Sequence, residues 1–367
     1  MSLSALPKVV DGKIKSETIA FGDSKSPYAL VTVDLPVVSS EELVKPTQLL
    51  VKTQAASINP IDILAEAFTP SWGRRSSPKV MGADFAGVVL QAGSSTGYKA
   101  GDKVYGCLFD PFDSNGSFSE YLRFEPEKAT FFDKIPKGMS FVQAAALPMV
   151  AGTGLQAIEA HGSLKDGNVL ILGAGTSVGY FAGQFAKYYY SAKFVAGTCS
   201  SKSSERVLKA GFDKTVDYGK GKVSEINDIL EIVKENGKFD LVLDCVRDPV
   251  LYGYLDSVLK PKSEGGLFAQ INGSKSMNYS KVGLSDLLPQ WSYVVEFIKS
   301  KLGFSKFDIR TIFVKQDKTF GSKVDKLWTG NKFQIGIDSV HDFKTDYEEA
   351  INKVASGKVR GKVVLQF

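Results

Sequence analysis

The sequence is poor in the residues that build metal centres and disulfide scaffolds. Across 367 residues there are two histidines, His161 and His341, and three cysteines, Cys107, Cys199 and Cys245. Two histidines exclude a multi-histidine metal centre. Three unclustered cysteines argue against a disulfide framework and against a cysteine-rich zinc module, and they fit a reducing compartment. No run of about 18 apolar residues is present, so no membrane-spanning helix is expected. The net charge of +5 is spread along the chain without a Lys/Arg block, which argues against nucleic acid as a partner. Residues 1–17 lack an apolar signal core and no Arg precedes Arg74, so neither secretion nor an Arg-rich transit peptide is expected. A cytoplasmic location is the expectation, with a mitochondrial or lipid-droplet-associated one as the alternative.

What remains is an ordinary globular composition, 43% hydrophobic and 23% charged, at a length that suits two domains with large cores. The first 145 or so residues read as β-rich. Leu49–Ser57, Asp84–Gln91 and Asp102–Leu108 are short β-prone runs, and Gly116–Phe124 alternates aromatic with polar residues. Short strands with Gly and Pro punctuation suggest a barrel-like unit. From about Ser140 the texture changes. Strands are expected at Asn168–Leu172, Lys193–Ala196, Thr215–Val216, Phe239–Asp244 and Gly266–Ile271. Helices are expected from Val178 and over Ser203–Ala210, Val223–Asn236 and Pro249–Leu259. That βαβα rhythm is the pattern of an α/β doubly wound parallel sheet. A helix is expected over Asp346–Ala355 and a closing strand over Lys362–Phe367.

The strongest motif is residues 168–187, in which a buried strand runs into Gly173, Ala174, Gly175, Thr176, Ser177, Val178 and Gly179 and then into a helix. Small residues let the backbone turn sharply and approach a pyrophosphate, and the helix N-terminus offers free N–H groups and partial positive charge. The strand before and the helix after supply the context such a glycine pattern needs. A dinucleotide site for NAD wants an acid about 20 residues further on, for the ribose hydroxyls. Residues 194–203 contain no Asp or Glu and offer Ser200, Ser201 and Lys202, with Arg206 one turn later. Hydroxyls and cations suit a 2′-phosphate, so NADPH is the expected cofactor.

At these residues the chain resembles a known family, the medium-chain dehydrogenase/reductase superfamily, in its zinc-free quinone oxidoreductase (zeta-crystallin-like) branch and in a fungal-type form. The resemblance is carried in order by Asn59-Pro60-Ile61-Asp62, Gly82-Ala83-Asp84-Phe85-Ala86-Gly87, residues 101–106, residues 116–121, Ala146-Leu147-Pro148, residues 151–154 and the ending at residues 355–365. It implies a GroES-like β-barrel catalytic domain (residues 1–149 and 319–367) around a Rossmann doubly wound parallel sheet (residues 150–318). It also implies hydride transfer from NADPH to a quinone or an α,β-unsaturated carbonyl. The alternatives are a 2-enoyl thioester reductase, for which Arg74-Arg75 is the compact basic candidate, and a non-catalytic NADPH-binding, stress-related adaptor.

By the same resemblance Thr153 lies beside the nicotinamide, with main chain at Ile271, Asn272 and Gly273 on its carboxamide side. Thr176, Ser177 and Val178 meet the pyrophosphate. Ser200, Ser201, Lys202 and Tyr218 surround the 2′-phosphate, Cys245 and Val246 border the ribose or adenine, and Lys362 approaches a cofactor phosphate. Asn59 is the polar candidate for a substrate carbonyl oxygen, its other reading being a turn residue before Pro60. Asp62 is read as structural. The zinc ligands of metal-dependent relatives would fall near Ile58, Ala83 and residues 149–151, where no side chain can ligate zinc, so no metal is expected. Two positions depart from the family pattern: Thr176 stands at a central glycine, and Leu64 where many members carry a Tyr. Residues 284–304 place apolar side chains at helical spacing, with Trp291, Tyr293, Phe297 and Phe304 among Lys299 and Lys301. Packing against the cleft or a subunit interface is the first reading, a substrate lid whose aromatic residues would suit a flat hydrophobic ligand the second, and weak lipid-surface contact the third. The expected partner is a small hydrophobic electrophile, and a homodimer is expected only by analogy with relatives.

Overall fold

A computed structural model describes residues 6–21, 28–64, 79–109, 116–271, 279, 286 and 288–367. The N-terminal part holds β1 (Val9–Val10), β2 (Lys13–Phe21) and β3 (Tyr28–Pro36), an antiparallel sheet in sequence order. Next come β4 (Leu49–Ile58), the short helix α1 (Pro60–Leu64), β5 (Asp84–Ala92), β6 (Lys103–Cys107), β7 (Tyr121–Phe124) and β8 (Phe131–Lys134). After them lie α2 (Phe141–Ala145), closed by a reciprocal Ser140–Gln143 cap, and α3 (Pro148–Glu159).

The second sheet is built from β9 (Asn168–Leu172), β10 (Phe194–Cys199), β11 (Lys214–Asp217), β12 (Leu241–Asp244), β13 (Leu267–Ile271) and β14 (Asp308–Ile312). All its neighbours run parallel, in the order β11-β10-β9-β12-β13-β14. That is the doubly wound order of a Rossmann sheet, with the switch point beside β9. Helices α4 (Ser177–Gln184), α5 (Ser201–Lys209), α6 (Lys222–Asn236) and α7 (Leu255–Val258) connect its strands, and further helices span Trp291–Lys301, Phe320–Thr329 and Tyr347–Ala355. Strand β9 reads Asn-Val-Leu-Ile-Leu because both its faces are buried, as a central parallel strand requires.

The chain then returns to the first unit. Strands β15 (Ile337–Asp342) and β16 (Lys362–Gln366) complete a seven-stranded sheet in the order β15-β16-β4-β5-β6-β8, with β7 on β4. The GroES-like barrel is therefore made from both ends of the chain. Its register matters most. Val363 pairs with Ile58, Ser57 with Asp84, and Asp84 with Cys107, which brings three adjoining strands to one end of the sheet with Lys362 and Asn59 just beyond the last pair.

Several local expectations change. Residues 249–254 form a 3-10 turn and only Leu255–Val258 is α-helical; Gly253 inside the stretch weakens a longer helix. Within 116–124 only Tyr121–Phe124 pairs as a strand. The helix in the 284–304 stretch starts at Trp291 with Gln290 as its N-cap, so Pro289 lies outside it. Leu284 and Leu287 lie outside the described residues.

Candidate active site

The glycine turn follows from backbone geometry. Gly173 has φ +80°, a left-handed conformation that side chains resist. A Cβ at Gly179 would lie 2.4 Å from the Gly173 carbonyl oxygen, so α4 can close on β9 only with glycine there. The amide of Gly173 donates to Thr198 Oγ1 (3.0 Å) and that of Ala174 to the Thr198 carbonyl (2.8 Å), tying the turn to β10.

Thr176 is the N-cap of α4 in ordinary extended geometry (φ −71°, ψ 157°). Its hydroxyl accepts from the Gly179 amide (3.1 Å) and donates to the Gly173 carbonyl (2.7 Å). The threonine that replaces a family glycine is thus folded back as a helix cap. Ser177 and Val178 supply first-turn amides, which no helix satisfies internally. Gly175 lies against Cys199 and Ser203, and Val246 packs over Gly173.

The flank of the turn carries no carboxylate at the end of β10. Ser200 stands at the N-cap position of α5 without a side-chain capping bond, and its hydroxyl donates to the Ser203 hydroxyl (3.2 Å); Ser201 and Lys202 are exposed, and Tyr218 is half exposed. Arg206 lies across the back of the turn. Its guanidinium stacks 4.5 Å from the Tyr180 ring centroid and donates to the Gly175 carbonyl (2.8 Å). Its Nε and Nη1 are buried without a hydrogen-bond partner, and a buried donor left unpaired is costly. Two unpaired Arg206 donors therefore lie beside the turn, and no acid stands at the end of β10.

Beyond β12, Cys245 donates its amide to Leu172 (3.0 Å) and its thiol is pushed far up by burial. Asp244, at the end of β12, accepts from Gln270 Nε2 (2.9 Å) and the Val246 amide (3.0 Å); burial raises its carboxyl to about 6. Ile271 ends β13. Asn272 and Gly273 lie outside the described residues, as do Arg74 and Arg75.

Thr153 is buried in α3, and its hydroxyl donates back to the Met149 carbonyl (2.6 Å). Asn59 and Lys362 differ from expectation. Asn59 is 1% exposed, and both ends of its amide are occupied: Nδ2 donates to Asp84 Oδ2 (2.9 Å) and Oδ1 accepts from Lys362. It sits in an interior network and does not face a substrate carbonyl. Lys362 is 3% exposed. Its ammonium meets Asn59, the Ile58 carbonyl (3.2 Å) and, at 3.6 Å, Asp84. The β16–β4 register draws it into the barrel, so it is neither a phosphate ligand nor a surface lysine.

Asp84 Oδ2 also accepts from Ser57 (3.1 Å), and Asp84 Oδ1 from the Met149 amide (2.8 Å). Asp62 accepts from the backbone N–H of Asn59 (2.7 Å), and burial pushes its carboxyl up to about 7. Burial raises Asp84 and lowers Lys362; their mutual attraction, with the Asn59, Met149 and Ser57 donors, opposes it. The positions that would ligate zinc, Ile58, Ala83 and residues 149–151, adjoin this cluster and carry no donor side chain. Among the described residues no group of three or more His, Cys, Asp or Glu is placed to hold a metal. The described residues at these positions offer no zinc-ligating side chain.

Of the 291–304 segment, Tyr293 and Ser300 are buried, whereas Trp291 (78%), Leu302 (65%) and Phe304 (80%) are exposed. No helix among the described residues is long and apolar enough to cross a membrane.

Comparison with known proteins agrees with this architecture. Residues 45–136 match the family described as alcohol dehydrogenase GroES-like domain, and residues 210–365 the family described as zinc-binding dehydrogenase. Protein YIM1-2 of Lachancea thermotolerans is 32% identical over 365 residues, covering 96% of this chain and 98% of the relative. Among solved structures, the quinone oxidoreductase from Coxiella burnetii superposes with a TM-score of 0.72 at 23% identity, over 96% of this chain and 99% of that one. CurK enoyl reductase superposes at 0.71 and 18% identity, over 97% and 99%. At these identities the solved structures speak to fold alone.

Proposed function

The chain belongs to the medium-chain dehydrogenase/reductase superfamily, a family of nicotinamide-dependent oxidoreductases, and from that premise we propose that it transfers hydride from NADPH to a small hydrophobic electrophile, a quinone or an α,β-unsaturated carbonyl. The observation that carries the cofactor choice is the acid-free flank of the glycine turn, where Ser200, Ser201 and Lys202 stand beside an Arg206 with two buried, unpartnered donors.

When bound, NADPH supplies the hydride. The chain's residues bind, orient and shield. The amides of Ser177 and Val178 at the α4 N-terminus face the pyrophosphate. Ser200, Ser201, Lys202 and Tyr218, with Arg206 behind them, hold the 2′-phosphate. Val246 covers the turn beside the ribose. Thr153, fixed within α3, sets the nicotinamide side of the cleft, where orientation and exclusion of water contribute most to hydride transfer.

The test is a fluorescence titration with NADPH and NADH side by side, followed by NADPH oxidation with a quinone, an enal and a 2-enoyl thioester as acceptors. Tight NADPH and weak NADH binding, with turnover of a quinone or enal, supports the proposal. Turnover of the thioester alone moves the function to a thioester reductase. Binding without turnover of any acceptor favours the adaptor reading, and no binding of either nucleotide sinks the proposal. Exposed Trp291, Leu302 and Phe304 beside Lys299 and Lys301 support weak lipid-surface contact as a secondary part of it. Failure to co-float with anionic vesicles removes that part.

A further inference from the structure

Helix α3 begins without a cap of its own. Its N-cap residue is Leu147, which makes no side-chain capping bond. The first turn is capped from another domain element instead. Asp84, the first residue of β5, reaches the Met149 amide with Oδ1 at 2.8 Å. A carboxylate at a helix N-terminus both satisfies a free donor and meets the positive end of the helix dipole. The other oxygen is held by Asn59, Ser57 and, at 3.6 Å, Lys362, so the cap is anchored to β4, β5 and β16 together.

The far side of α3 is pressed onto the dinucleotide domain. A Cβ on Gly154 would stand 2.9 Å from the Val178 carbonyl and from the Ala182 amide, so α3 lies directly against α4, the helix that opens at the glycine turn. Thr153 sits next to that contact and bonds back to Met149, the residue that Asp84 holds.

Resting on the functional reading above, we propose that Asp84 is a positioning residue: neutralised by Lys362, it caps α3 from within the barrel and so fixes Thr153 against the glycine turn. Asp84 is fully buried. It acts through Met149 and α3. A purely stabilising ion pair would make no distinction between partners that keep the Met149 contact and partners that lose it.

The test uses the full chain and two charge-balanced double variants. D84N/K362M keeps an oxygen acceptor for the Met149 amide. D84L/K362M has the same charge and no acceptor. Hydrogen exchange of the α3 first turn is followed by mass spectrometry without cofactor, and steady-state NADPH oxidation is measured beside it. The expected result is faster exchange at the start of α3 in D84L/K362M, at least a ten-fold fall in kcat, and a KM for NADPH within about three-fold of wild type. D84N/K362M is expected to recover protection and to return kcat to within about three-fold of wild type. Equal exchange and equal kcat in the two double variants would overturn the proposal. If D84L/K362M fails to fold, D84S/K362M, whose hydroxyl is too short to reach Met149, takes its place under the same two outcomes. A wild-type protein that turns over no acceptor sinks the functional reading, and the exchange comparison still decides whether Asp84 caps α3.

Discussion

The glycine turn and the charged cluster of the barrel meet at helix α3, and they are built in opposite ways. The turn is a contiguous stretch that offers main-chain amides and a helix end. Its conformation is set locally by a left-handed Gly173 and a close-packed Gly179. The cluster is assembled from Ser57, Asn59, Asp84, Met149 and Lys362, and Lys362 and Asn59 stand 303 residues apart. In the turn each group serves itself. In the cluster each charge is tolerable only because its partners are present, since an isolated buried ion is far costlier than a paired one. Damage to the cluster should therefore act on stability first, and damage to the turn should act on nucleotide binding first.

The largest effect expected from breaking this contrast is that of Lys362→Met alone. It leaves Asp84 buried with hydrogen-bond donors but no countercharge, and removing one partner of a buried pair costs about 3–5 kcal/mol. The thermal midpoint of the barrel should fall by on the order of 10 °C. Differential scanning calorimetry on wild type, Lys362→Met and Lys362→Met with Asp84→Asn decides it, because the double variant should regain part of the loss. A single variant as stable as wild type would mean that the pair contributes nothing to folding.

Next in size is a pH dependence carried by Asp62, which accepts from the Asn59 backbone N–H at the edge of the same cluster. Burial raises the Asp62 carboxyl from an unfolded value near 3.8 to about 7. Its contribution to stability is then fully present below the unfolded value and is lost as pH rises through about 7. Asp62→Asn removes that window, so its stability relative to wild type should increase between pH 5 and pH 7.5, by a few kcal/mol at most. Urea unfolding at the two pH values measures it. A difference between variant and wild type that does not move with pH would place Asp62 in an environment that keeps it ionised.

The same contrast governs what the sequence reveals. The parallel sheet was legible because each strand–helix unit carries its own hydrophobic pattern, and the turn because strand, glycines and helix follow one another within 20 residues. Thr176 was legible as a departure but not as a cap, since capping depends on a ψ of 157° that its residue type alone does not fix. The barrel cluster was hidden. Lys362 reads as one lysine among many until β16 is registered on β4, and only that pairing turns it inward. Asn59 shares the difficulty, since nothing near it in sequence shows that Asp84 and Lys362 will occupy its amide. Arg206 was visible as a cation, but its stacking on Tyr180 and its bond to Gly175 depend on how α4 and α5 pack.

In the turn, Gly179→Ala should separate binding from stability. Its Cβ meets the Gly173 carbonyl at 2.4 Å, and backbone must shift to admit it. Overpacking of this kind costs about 1–3 kcal/mol. The shift displaces the α4 N-terminal amides proposed to meet the pyrophosphate, so NADPH affinity should fall at least ten-fold while the barrel's own unfolding transition stays put. Titration and calorimetry together test this, and an unchanged Kd would show that the turn can re-form around the methyl group.

The smallest effect is expected at Thr176, and it is the sharpest check on how the turn works. If the hydroxyl serves as a cap, Thr176→Ala loses about 1 kcal/mol of stability, whereas Thr176→Gly loses only a few tenths, glycine being an acceptable N-cap. Because the side chain is folded back onto Gly173 and Gly179, its removal opens little new room for a pyrophosphate. NADPH affinity in Thr176→Gly should stay within about two-fold of wild type. A much tighter Kd in that variant would instead mean that the threonine projects into the phosphate path when cofactor arrives. The departure from the family glycine would then weaken binding rather than reinforce the helix end.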